Sequence, residues 1–196
     1  MIKRVFDFSL ALIGLFASLP LWFIFSLAIW FEDRGPVYYI QERVGENASV
    51  FKSIKFRSMK PDAEKGLGPV QAKENDPRAT RIGSFLRKTA MDELPQLLNI
   101  LKGDMSFVGP RALRPIETES VGSSSVIFIS QIPGFQKRSS VSPGLTGVAQ
   151  VSASRNLTRE EKFKYDLWYV DNMSFWLDIE LIAKSILVTL KAKWDT

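Results

Sequence analysis

The sequence predicts an α+β protein held to a membrane at its N-terminus. Three observations carry the prediction. Residues 8 to 31 are 24 consecutive residues without a charge, bracketed by Lys3, Arg4 and Asp7 before and by Glu32, Asp33 and Arg34 after. Residues 37–59 alternate and turn as a short β-hairpin does. Several later stretches repeat apolar residues at the spacing of one helix face.

The uncharged run exceeds the roughly 18 residues that mark a membrane helix. As a straight helix it reaches about 36 Å, against about 30 Å for a hydrocarbon core. It is too long for the apolar region of a cleaved signal peptide, and no small-x-small site precedes a polar mature start. Pro20 lies near its middle. Proline offers no N–H to the Phe16 carbonyl and its ring crowds that turn, so the helix is expected to kink or break there. The Ser18 hydroxyl is close enough to serve the freed carbonyl. Two geometries are open: a kinked spanning helix, or a re-entrant hairpin whose legs enter and leave through one leaflet. Basic residues flank the run on both sides, which gives no inside–outside asymmetry. A hairpin would leave both flanks on the cytoplasmic side.

In the hairpin region, Val37-Tyr38-Tyr39-Ile40 is β-branched and aromatic, Glu46-Asn47 supplies a turn, and Phe51-Lys52-Ser53-Ile54-Lys55-Phe56 is the partner strand. Residues 60–78 are polar, with Pro61, Gly66, Gly68, Pro69 and Pro77, and read as a loop. A short helix with Arg81, Arg87 and Lys88 is expected over residues 80–90. A second runs from about Asp92 to Lys102, with Leu94, Leu97, Leu98 and Leu101 on one face and Gly103 as its C-cap. Residues 117–135 are Ser-rich and read as irregular. Residues 158–172 (Phe163, Trp168, Tyr169) and 175–192 (Ile179, Ile182, Ile186, Leu190) read as helices. They are either core helices or interfacial ones, with aromatics at headgroup depth and Lys162, Lys164, Lys191 and Lys193 towards anionic lipid.

The chain has 196 residues, 26 basic against 21 acidic, and neither Cys nor His. Thiolate nucleophiles, Cys/His zinc sites, Ser-His-Asp triads and imidazole acid–base steps are therefore excluded. Chemistry must run on carboxylates, Lys, Arg, Tyr, Ser/Thr or a hard cation held by oxygen, Mg²⁺ or Mn²⁺ before zinc. A net charge of +5 is modest for nucleic-acid binding, and no such motif is present.

Asp92-Glu93-Leu94-Pro95 is the stretch where that chemistry points. Proline is tolerated in a helix's first turn, which puts both carboxylates at the N-terminus of the second helix. Acids there cap the helix and suit its dipole. Such a pair can equally hold Mg²⁺ and present an oxygen as nucleophile. Arg78, Arg81, Arg87 and Lys88 lie upstream, and Arg111 and Arg114 downstream. Guanidinium groups match phosphate oxygens, although each also reads as a solvated or headgroup-facing charge.

These residues, taken together, resemble the small monotopic phosphoglycosyl transferases of the bacterial sugar transferase family. The resemblance covers essentially the whole chain. It runs through Arg4-Val5-Phe6-Asp7-Phe8, the proline-interrupted apolar run, Gln41-Glu42-Arg43-Val44-Gly45 and Lys55-Phe56-Arg57-Ser58-Met59. Its strongest block is Asp92-Glu93-Leu94-Pro95-Gln96-Leu97-Leu98-Asn99, then Gly103-Asp104-Met105-Ser106-Phe107-Val108-Gly109-Pro110-Arg111. It closes with Pro143-Gly144-Leu145-Thr146-Gly147 and Ala149-Gln150-Val151.

The resemblance implies an α+β fold with a re-entrant membrane helix-break-helix over residues 1–34. Residues 35–196 would form a cytoplasmic catalytic domain, with a small β-hairpin and several amphipathic interfacial helices around the active site. It implies a UDP-sugar donor and a polyprenol phosphate acceptor at the cytoplasmic face of the bacterial inner membrane, with homo-oligomers compatible. Asp92 would attack the β-phosphorus, releasing UMP, and polyprenol phosphate would then take the phosphosugar. Asp92 and Glu93 would hold Mg²⁺ or Mn²⁺. Lys55, Arg57, Arg78, Arg87 and Arg111 are the candidates for substrate phosphate, and Ser18 and Pro20 mark the hairpin break. The sequence departs from the family pattern at three places. Leu19 separates Ser18 from Pro20, Ala112 replaces the second proline of Pro-Arg-Pro, and Ser152-Ala153-Ser154-Arg155 replaces Asn-Gly-Arg. The competing reading, from another class, is a membrane-tethered basic module that binds anionic lipid or nucleic acid.

Overall fold

The structure, a computed structural model, describes residues 2–63, 76–121, 125–154 and 156–190. Gly66, Gly68 and Pro69 of the expected loop, Arg155, and the basic tail with Lys191, Lys193 and Trp194 lie outside the described residues.

The uncharged run and its flanks form one helix, α1 (Ile2–Asp33), with Pro20 inside it. Of the two expectations at Pro20, a kink or a break, the full break does not occur: helical structure continues through the proline. The Ser18 hydroxyl also goes elsewhere than expected. It donates to the Leu15 carbonyl at 3.1 Å and accepts from the Trp22 indole at 3.1 Å, so it does not serve Phe16. One stripe of α1 (Asp7, Ala11, Ser18, Ile29) is buried, while Ile13, Phe16, Phe23, Ile24 and Phe31 on other faces are exposed. Among the described residues, α1 is the one helix long and apolar enough to cross a membrane.

Strands β1 (Tyr38–Val44) and β2 (Val50–Phe56) pair antiparallel, with Arg43 opposite Phe51 and Gln41 opposite Ser53. Asn47 (φ 53°) and Ala48 (φ 57°) make the tight turn between them. Helix α2 (Arg81–Lys88) falls within the expected residues 80–90 and is capped by Thr80, whose hydroxyl accepts the Gly83 N–H at 2.9 Å. Glu32, at the end of α1, accepts the next two free donors, the N–H groups of Arg81 and Ile82 at 2.7 and 3.2 Å.

The expected helix from Asp92 divides in two. Met91–Glu93 is a 3₁₀ turn, and α3 (Gln96–Lys102) begins after Pro95 and ends at Gly103 with φ 97°. The carboxylates therefore precede the helix instead of opening it. Arg4 of α1 donates to the Ile100 carbonyl and, at 2.7 Å, to that of Leu101, which satisfies the end of α3. The Asn99 side chain, fully buried, accepts the Ile54 N–H at 3.0 Å and donates to the Lys52 carbonyl at 2.7 Å. It thereby fastens α3 to the free edge of β2.

Beyond α3, β3 (Ser106–Val108) pairs in parallel with β6 (Gly144–Thr146). Their backbones touch: a Cβ on Gly144 would lie 2.1 Å from the Gly109 nitrogen, so the contact requires glycine there. The Ser-rich stretch is not irregular throughout. It contains the hairpin β4 (Thr118–Val121) and β5 (Ser125–Phe128), where β-branched and aromatic residues outweigh the serines. Two short helices, α4 (Phe135–Arg138) and α5 (Val148–Ser152), flank β6. Helix α6 (Arg159–Asn172) opens with a capping box in which Thr158 and Glu161 exchange hydrogen bonds. Helix α7 (Phe175–Leu190) follows.

The core comprises several clusters. Ala11 packs with Phe51, Leu97, Ile100 and Met105, and Ile29 with Phe56 and Leu86, so α1 supplies two of them. Val108, Tyr169 and Leu181 form a third, and Val44, Leu113, Ile129, Phe135 and Phe163 a fourth. Helix α7 has two sides: Leu177, Leu181 and Ile182 pack into the Val108–Tyr169 cluster, as a core helix would, whereas Ile179, Ile186, Leu190 and Trp176 are exposed, the last two at 78% and 77%. The expected stripe is thus divided between the core and an unburied apolar face.

Candidate functional site

The site is built where β1, β2, the 3₁₀ turn and the segment after β3 converge. Strand alternation puts Arg43, Ser53 and Lys55 on one face of the hairpin, because directly paired residues share a face. The opposite face carries Phe56 into the α1 cluster. Ala90, with φ 55°, reverses the chain between α2 and the carboxylate turn. A left-handed alanine costs on the order of 1 kcal/mol, a strain borne beside the carboxylates.

The two carboxylates have different surroundings. Glu93 is ion-paired to the Lys55 ammonium, and Arg111 Nη2 lies 3.4 Å from the same Oε1 atom. Asp92 makes no hydrogen bond or salt bridge among the described residues. Burial raises the Asp92 carboxyl to about 6, with the Glu93 charge adding to it and Lys55, Arg87 and Arg111 opposing. Burial also penalises ionised Glu93, but Lys55, Arg111 and Arg43 outweigh it and hold that carboxyl down at about 2. Arg43 is itself pulled to about 10 by burial and by the charges of Arg111 and Arg114. Four cations, Arg43, Lys55, Arg87 and Arg111, thus act on two carboxylates, and the site favours a polyanion.

The donor set also fits a hard cation brought by such an anion. Both Asp92 oxygens and Oε2 of Glu93 accept no hydrogen bond from the described residues. Mg²⁺ characteristically takes one or two carboxylates and completes its shell with substrate phosphate and water. Among the described residues no group of three acidic side chains could hold a metal without that help.

Of the phosphate candidates, the structure brings Lys55, Arg87 and Arg111 to the carboxylates and leaves two elsewhere. Arg57 is 6% exposed and paired with Asp33 at the end of α1. Arg78 forms a two-point pair with Asp76, Nε at 2.9 Å and Nη2 at 2.6 Å. Ser18 and Pro20 lie within α1, away from these charges. Two members of the site carried no assignment in the sequence. Arg43 was readable from its place two residues after Gln41 on the face that Lys55 shares. Gln96 lines the same cleft, buried, with its Nε2 lacking a partner among the described residues, and had no sequence signal beyond its motif.

A bacterial sugar transferase family model matches residues 1–192, and the chain belongs to that family. A Bacillus subtilis protein assigned as an undecaprenyl-phosphate N-acetylgalactosaminyl 1-phosphate transferase is 54% identical over 70% of this chain and 72% of its own length. The exopolysaccharide production protein PSS of Rhizobium leguminosarum is 37% identical, over 96% of this chain and 95% of its own. The undecaprenyl-phosphate glucose phosphotransferase of Komagataeibacter xylinus is 40% identical over 94% of this chain, which spans 35% of that longer protein.

Proposed function

We propose that the protein transfers a sugar-1-phosphate from a UDP-sugar to polyprenol phosphate through a phosphosugar carried on Asp92. The observation that carries this reading is the asymmetry of the carboxylate pair. Glu93 is pinned and ionised, whereas Asp92 is unpaired among the described residues, with a carboxyl raised to about 6. A carboxylate of that basicity is ionised at pH 7.5 and a better nucleophile than an ordinary aspartate.

Asp92 attacks the β-phosphorus of the donor, the bond to the bridging oxygen breaks, and UMP leaves with that oxygen. The aspartyl phosphosugar is then attacked at phosphorus by an oxygen of polyprenol phosphate, which yields the polyprenyl diphosphate sugar and frees Asp92. Arg87 and Arg111 bind the phosphate oxygens, and Lys55 keeps Glu93 in place. Asp92 and Glu93 would hold Mg²⁺ together with donor phosphate, and the ion would offset charge on the transferred group. The relatives' names make N-acetylgalactosamine and glucose the first sugars to try.

The same reading places the site at one face of the bilayer. Near its start, α1 bonds the body through Lys3 with Asp178 and through Asp7 with the Phe107 N–H. Near its end it does so through Glu32 with α2 and Asp33 with Arg57. A helix that crossed would carry one of these sets to the far side. Both therefore support an α1 that enters and leaves through the cytoplasmic leaflet. The exposed Trp176, Ile186, Leu187 and Leu190 of α7 support an interfacial seat for that helix.

The test is UMP release by the full chain with Mg²⁺, undecaprenyl phosphate, and UDP-N-acetylgalactosamine or UDP-glucose. Asp92→Asn should abolish release with or without acceptor. Mass spectrometry of the acceptor-free reaction should find the phosphosugar on the peptide containing Asp92. Full activity of Asp92→Asn would overturn the mechanism and favour a binding module.

A further inference from the structure

Arg111 lies on residues 110–113, and four successive carbonyls of that segment are each taken by a donor from elsewhere. The Pro110 carbonyl accepts from the Gly144 N–H at 3.0 Å and the Leu113 carbonyl from the Val44 N–H at 2.8 Å. Between them, the Arg111 carbonyl accepts from Arg138 Nη2 at 2.8 Å and the Ala112 carbonyl from Arg43 Nη1 at 3.0 Å. No peptide plane of the segment can turn without losing a bond.

Arg138 stands out among these donors. It is 4% exposed, its Nε donates to Asp166 of α6 at 2.9 Å, and its guanidinium lies 4.6 Å from the centre of the Phe163 ring. A buried ion pair adds little net stability, because desolvation consumes the attraction. A planar fork, in contrast, fixes directions: Nε and Nη2 face Asp166 and the same Nη2 also donates to the Arg111 carbonyl, whereas an ammonium presents a single nitrogen with no plane to set the angle between its partners. We infer that Arg138, anchored by Asp166, is a positioning residue that fixes the Arg111 backbone and so aims the Arg111 guanidinium at the donor's diphosphate. The inference rests on Arg111 as a phosphate ligand, as proposed above.

The test is a double-mutant cycle on the full chain in detergent, reading UDP binding with Mg²⁺ by calorimetry and melting temperature. Arg111→Ala should weaken UDP about tenfold, the loss of one charge-assisted contact. Arg138→Lys keeps a cation beside Asp166 but, with one nitrogen and no planar fork, no longer fixes the direction of the Arg111 carbonyl. It should weaken UDP about tenfold as well, while Arg111→Ala/Arg138→Lys is no weaker than Arg111→Ala alone. Asp166→Asn, which leaves Arg138 in place but loosens its anchor, should act in the same direction and serves if Arg138→Lys fails to fold. Effects that multiply in the double variant, or wild-type binding in both Arg138→Lys and Asp166→Asn while Arg111→Ala is weakened, would overturn the inference alone. Unchanged binding in Arg111→Ala would overturn the phosphate role of Arg111 and the inference with it.

Discussion

Asp92 and Glu93 are adjacent in the chain but titrate apart because Lys55 and Arg111 converge on one of them. In divalent-free buffer this has a sign. The Asp92 carboxyl at about 6 lies above its ordinary value of 3.8, so the folded state binds that proton more tightly than the unfolded chain does. The resulting stability is complete below 3.8 and is lost as pH rises through 6, at a cost of about 1–3 kcal/mol at pH 7.5. Asp92→Asn should therefore raise the melting temperature at pH 7.5 and leave it little changed at pH 4. Lys55→Met removes the strongest partner of Glu93. It should bring the Glu93 carboxyl up towards the ordinary range and reduce UMP release at pH 7.5 at least tenfold. A pH–rate profile of both proteins checks it.

At the scale of elements, the carboxylate turn is held by contacts that periodicity does not reveal. Asn99 sits on the buried side of α3, where a leucine would suit the pattern, yet its amide completes the edge of β2. Asn99→Leu leaves the Ile54 N–H and the Lys52 carbonyl unpaired. It should cost about 2–5 kcal/mol in chemical denaturation and lower activity by letting Lys55 shift. Gly103 ending α3 was read from the sequence, whereas the Thr80 cap of α2 and the Thr158–Glu161 capping box of α6 are local signals that the periodicity passed over. The three-residue strands β3 and β6 were not readable, because their pairing joins residues far apart in sequence and no local pattern marks it.

At the scale of the molecule, α1 is part of the core as well as a membrane element. It caps both α2 and α3, and Lys3 and Asp7 bind β3 from the side opposite β6. Deletion of residues 2–33 should accordingly abolish cooperative unfolding instead of releasing an active soluble domain, as circular dichroism would show. Topology is testable without background, since the chain has no cysteine. Single cysteines near residue 2 and near residue 196 should both be modified by an impermeant reagent from the cytoplasmic side. Labelling from opposite sides would mean that α1 spans.

The sequence by itself determined the apolar segment, the hairpin and the carboxylate pair as the candidate site. Those follow from charge, alternation and the absence of imidazole and thiol, all of which are local or compositional. Only the tertiary structure decided which cations serve the carboxylates. Arg43, Lys55, Arg87 and Arg111 come from four separate stretches of chain. Arg57, two residues from Lys55, goes instead to Asp33. The reason is physical: a charge is assigned by the partner it meets on folding, and an ion pair depends on distance in space, which spacing along the chain does not fix.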